Sequence, residues 1–98
     1  NSPGQLESHY APETKMRLNA SNKRSNEVLL GFGVSGADLN LSEKGDLTEA
    51  ASNLFSQMRL IDNLAKKIGA DCIAVSPIPQ IGLGLALNDR LQRAAFRN

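Results

Sequence analysis

A chain of 98 residues with one cysteine, one histidine and a net charge of +1 can bury a single core without cross-links. It cannot build an internal disulfide framework, a cysteine-based zinc site or a multi-histidine metal centre. At 41% hydrophobic and 21% charged it reads as an ordinary soluble domain, with no global pull towards nucleic acid or an acidic membrane. No apolar run reaches the length of a membrane span and no signal-peptide pattern opens the chain, so the expected location is cytoplasmic. The first residue is Asn1 rather than Met, and a piece of a longer protein is expected.

Residues 1–14 read as an extended arm. Pro3 and Pro12 fix their own φ and push the residues before them towards extended backbone. The arm holds the chain's one His and one Tyr, His9 and Tyr10. In an extended backbone their side chains point to opposite sides, so one can face a ligand while the other anchors the arm. The domain proper is expected over residues 15–98. Lys15–Asn19 alternates polar and apolar and predicts a short, half-buried strand, and the polar run 19–26 predicts an exposed loop. Val28–Phe32 predicts a buried strand. Ala37–Leu41 alternates again and predicts a third. Asp46 is a suitable N-cap for a long helix, with Glu49 placed to complete a capping box. Leu47, Ala50, Ala51, Leu54, Met58, Ile61, Leu64, Ala65 and Ile68 form its apolar stripe, and Gly69 stops it. Cys72–Val75 predicts a strand buried on both faces. Pro77 and Pro79 end that strand. A last helix follows, with Leu83, Leu87, Leu91 and Ala94 or Ala95 inside and Arg90, Arg93 and Arg97 outside. The order is β-β-β-α-β-α, an α/β fold of two or three layers. Strand three, the long helix and strand four are expected to form one βαβ unit.

No acid–base, metal or nucleophile set emerges, so no catalytic residue is assigned. Gly31-Phe32-Gly33-Val34-Ser35-Gly36 has the spacing of a dinucleotide-binding loop. That chemistry needs a helix to start at the third glycine. An alternating segment follows instead, so the reading is a turn between strands. Gly82 and Gly84 follow a strand end and precede a helix, where free amides can take an anion, although close packing also calls for glycine. Arg90, Arg93 and Arg97 present a basic stripe that RNA phosphates or plain solvent would suit. Cys72, inside an apolar strand, reads as a buried, inert small side chain.

Ser2-Pro3-Gly4 followed by His9-Tyr10-Ala11-Pro12 resembles the linker signature of long-form L-threonylcarbamoyladenylate synthases, YrdC-type tRNA-modification enzymes. Gly45-Asp46-Leu47, Ala50-Ala51, Asn53-Leu54-Phe55 and Arg59 look like the long helix of their C-terminal domain. Pro77-Ile78-Pro79, Gly82-Leu83-Gly84 and Asn88-Asp89-Arg90-Leu91 look like its closing segment. The resemblance implies a small Rossmann-like accessory domain carrying an active-site-covering linker. It implies an enzyme that joins threonine, bicarbonate and ATP into threonylcarbamoyl-AMP for the adenosine modification of tRNA. Catalysis, with ATP and Mg, would belong to an N-terminal YrdC-like domain of the same chain; these residues alone would be inactive, with the arm loose and His9 and Tyr10 facing solvent. tRNA is a further implied partner. The positions carried over as ATP-contacting are Ser2, Pro3, Gly4, His9 and Tyr10, because Gln5–Ser8 departs from the common pattern. Two alternatives stand beside this reading. One is a stand-alone nucleotide-binding module using the glycine loops, and the other is a tRNA-contacting domain.

Overall fold

Two apolar runs, Glu27–Gly31 (β2) and Cys72–Val75 (β4), lie side by side at the centre of one sheet, where both faces of each are covered. The computed structural model describes residues 11–96. The short strands Lys15–Arg17 (β1) and Leu39–Asn40 (β3) take the two edges, and the order across the sheet is β1-β4-β2-β3. Every pairing is parallel: Met16 lies opposite Ile73, Val28 opposite Ile73, and Leu30 opposite Leu39. The described residues thus form a mixed α/β domain with a four-stranded parallel sheet and two helices, Leu47–Ile68 (α1) and Leu83–Phe96 (α2).

The expected βαβ unit needs one correction. β3 and β4 run parallel through α1, but β2 lies between them rather than β4 pairing with β3. The longest apolar runs win the centre, and a two-residue strand can only serve as an edge. The strands are also shorter than their alternation suggested. Val28–Phe32 becomes Glu27–Gly31, and Ala37–Leu41 contracts to Leu39–Asn40.

Both helices pack on one face of the sheet. Val28, Leu30, Ile73 and Val75 point into a single core with Leu54, Met58 and Ile61 of α1 and Leu87, Leu91 and Ala94 of α2. Burying each of the larger side chains contributes about 1.5–3 kcal/mol. The opposite face shows Leu29 and Ala74, covered by Ala20, Val34 and Ala37 from the loops. Among the described residues the domain is therefore two-layered. The 19–26 loop is not wholly exposed: Ala20 is buried and its amide donates to the Val75 carbonyl at 2.8 Å.

The limits of α1 follow local chemistry. The Asp46 carboxylate accepts from the Glu49 amide at 2.9 Å, and Gly69 ends the helix at φ 74°. The capping box is not reciprocal, however. Glu49 accepts from the Ser42 hydroxyl at 2.6 Å, and that hydroxyl in turn accepts from the Asp46 amide at 2.9 Å. Ser42 is buried and stands between the two partners. Ile68, expected inside, is exposed, because a 22-residue helix outruns strands of at most five residues. On α2 the buried positions are Gly84, Leu87, Leu91 and Ala94, a phase that turns Leu83 outwards to 45% exposure. Cys72 is half-buried, since it opens β4 at the sheet's rim. Burial pushes its thiol above the usual range, so little thiolate forms at neutral pH.

Candidate functional site

The described part of the arm is held by a residue that the sequence patterning did not flag. Asp62 lies on the core-facing side of α1 and is 2% exposed. Its carboxylate accepts the Glu13 amide at 3.1 Å on Oδ2. On Oδ1 it accepts the Thr14 amide at 3.1 Å and the Thr14 hydroxyl at 2.7 Å. Lys66, one turn along α1, sits 3.7 Å from Oδ2 and also reaches the Glu13 carboxylate at 3.1 Å. The Lys66 ammonium is held above its usual range, chiefly by the hydrogen bond to Glu13. Pro12 is fully buried and Ala11 packs against the core. A buried carboxylate is costly unless its lone pairs are used, and main-chain donors from far along the chain use these.

The arm was expected to be loose over residues 1–14. Ala11–Thr14 are instead docked on the domain. Ser2, Pro3, Gly4, His9 and Tyr10, the positions expected to meet ATP, lie outside the described residues. Asp62 carried a signal that periodicity alone discards. Positions 58, 61, 62 and 65 satisfy the i, i+3, i+4, i+7 spacing of a buried face, and an acid in that series needs a partner.

The second expected site, Gly82 and Gly84, follows β4 through Pro77–Pro79. Here the amides turn inwards. The Gly84 amide donates to the Ile81 carbonyl at 2.7 Å, and the Leu85 amide to the Gly82 carbonyl at 3.1 Å. Asn88 donates to the Ile78 and Gly84 carbonyls at 3.0 and 2.8 Å. A Cβ at Gly84 would overlap the Pro79 carbonyl oxygen, and Gly82 has a φ of 50°. The free amides that an anion-binding loop requires are therefore spent at Gly84 and Leu85. Gly84 permits close packing, and Gly82 permits the turn.

The Gly31–Gly36 run is a turn leading to β3, and no helix starts there. Gly33 (φ 67°) donates to the Ser42 carbonyl at 2.8 Å. The Asn40 amide pairs with both the N–H and the C=O of Val34, at 3.0 and 2.9 Å, and a Cβ at Gly31 would meet its Oδ1 at 2.6 Å. Beside this turn, a polar groove of about 550 Å³ lies between Ala37–Lys44 and the α1 residues Glu49, Asn53 and Gln57.

Of the arginine stripe, Arg90 and Arg93 are exposed on α2, and Arg97 lies outside the described residues. Arg93 pairs with Asp89 at 2.9 Å within the helix. Among the described residues no three His, Cys, Asp or Glu side chains come together to hold a metal ion. No described helix is long and apolar enough to cross a membrane. Residues 1–96 match the family described as threonylcarbamoyl-AMP synthase, C-terminal domain. No curated protein and no solved structure matches.

Proposed function

The chain belongs to the threonylcarbamoyl-AMP synthase C-terminal domain family. From that premise we propose that it is the accessory domain and active-site-covering linker of an enzyme making threonylcarbamoyl-AMP from threonine, bicarbonate and ATP. The product serves threonylcarbamoyladenosine modification of tRNA. The family match begins at residue 1 and so includes the arm as well as the folded body, and this single observation carries the reading.

In this reading the chemistry and its ATP sit in a YrdC-like domain that precedes the arm in the same protein. Ser2, Pro3, Gly4, His9 and Tyr10 reach across to cover that site. What this domain supplies is placement and exclusion of water. A cover over the site shields a labile carbamoyl intermediate from hydrolysis. Prolines at Pro3 and Pro12 reduce the conformational freedom lost when such a cover closes.

An ATP-to-pyrophosphate assay with threonine and bicarbonate tests this. The full-length protein is expected to turn over, and the 98-residue chain alone is expected to be silent. Tyr10→Ala or His9→Ala in the full-length protein is expected to weaken turnover while leaving this domain folded. Turnover by the isolated chain, or unchanged kinetics in both variants, would overturn the assignment.

A further inference from the structure

We propose that Asp62 is the positioning residue of the linker: it fixes where and in which direction the chain leaves the domain on its way to His9 and Tyr10. This rests on the reading of residues 1–14 as an active-site-covering linker.

Three observations carry it. First, the position lies between Met58, Ile61 and Ala65 on the buried face of α1, where the helical pattern alone calls for an apolar side chain. A carboxylate there, with its side chain 3% exposed, is expensive unless it is fully engaged. Second, what engages it is main chain. Consecutive amides, those of Glu13 and Thr14, fall on the two separate oxygens, each at 3.1 Å. Two donors on two oxygens set the orientation of this stretch as well as its location, which one bond does not. The Thr14 hydroxyl at 2.7 Å and the buried Pro12 ring complete the grip. Third, Asp62 belongs to the core helix, 48 residues from Thr14 in sequence, so the grip ties the arm base to the helix that packs the domain's core.

The consequence is one of leverage. A chain reaching from Glu13 to His9 spans at most about 14 Å. A tilt of about 10° at its base therefore moves a contact at the far end by about 2 Å, more than a hydrogen bond to ATP tolerates, so ATP binding weakens. The core helix of the accessory domain thus serves the reaction as the fixed mount of the cover.

The test uses the full-length synthase carrying Asp62→Asn, Thr14→Val or Thr14→Ser, with kcat and KM for ATP measured separately. Partial unfolding lowers kcat with the folded fraction and leaves KM unmoved. Loss of positioning raises KM. Asp62→Asn replaces an acceptor by a donor facing an amide, and KM for ATP is expected to rise about tenfold. Thr14→Val, which removes only the hydroxyl, is expected to raise it about threefold, and Thr14→Ser to restore it. Should Asp62→Asn fail to fold, the Thr14 pair decides. Wild-type KM values in the folded variants, or a fall in kcat alone, overturn the proposal while the functional reading stands. Absence of product with the wild-type enzyme overturns the reading, and the proposal falls with it.

Discussion

Two proline-marked segments lead into elements of this domain, Ala11–Thr14 into β1 and Pro77–Gly84 into the first turn of α2, and they are held in opposite ways. The first gives its amides to a side chain from the middle of the core helix. The second closes on itself, the Gly84 and Leu85 amides donating to carbonyls three residues back, while the Ile78 and Gly84 carbonyls accept from the neighbouring Asn88 side chain. A loop closed on itself is a local structure, complete once its own residues fold. A segment held by a distant carboxylate exists in its place only when α1 and the sheet are assembled. Its position therefore reports on the tertiary structure. In the glycine-rich segment, the Gly84 amide is already used by the turn.

The contrast can be broken from either side. The largest effect is expected at Gly84→Ala, where the new Cβ has only the Pro79 backbone to displace. A loss of about 3 kcal/mol is expected in urea denaturation, the upper range for overpacking. A neutral result would show that the 79–84 loop is slack. Asp62→Ala comes next. Leaving partly buried donors at Glu13 and Thr14 unpaired should cost about 2 kcal/mol. Amide exchange should accelerate at those two residues and not at Gly84 and Leu85. Equal acceleration at both segments would erase the distinction drawn between them.

Glu27→Gln probes the strand that follows the arm base. Arg17 of β1 reaches across to the Glu27 carboxylate with two hydrogen bonds, at 2.8 and 3.0 Å. The hydrogen bond from Arg17 is the main reason that the carboxyl titrates at about 2 rather than 4.5. Because the folded-state value is depressed, this contribution is complete above about pH 4.5 and is lost as pH falls towards about 2. On the order of 1 kcal/mol is expected at neutral pH, since Arg17 is partly solvated. The gap between wild type and variant should close in acid denaturation, and a gap independent of pH would remove the ion pair as its cause. The smallest effect is Thr14→Val, about 0.5–1 kcal/mol for one hydroxyl hydrogen bond. A loss as large as that of Asp62→Ala would mean that the hydroxyl, not the main chain, is what Asp62 holds.

Much of this architecture was legible in the residues. The apolar stripe of α1, its Asp46 cap and its Gly69 stop are local signals, and each appears where the sequence placed it. The missing helix after Gly36 favoured a turn over a dinucleotide-binding loop, and the structure shows a turn there. The failures have one cause. Leu83, Ile68 and the reach of β3 were assigned by periodicity, which gives the phase of an element but not where its neighbours end. Asp62 was passed over because the same periodicity counts apolar residues and skips a charge within the stripe.

Element type, helix limits and the strands' apolar character were set by the chain alone, because they depend on neighbours within a few residues. Strand order, the single-faced packing of the helices and the capture of Glu13 and Thr14 by Asp62 were decided only by the assembled structure. Each of these depends on which surfaces distant segments bury against one another, and a carboxylate's partner 48 residues away leaves no mark in the local pattern.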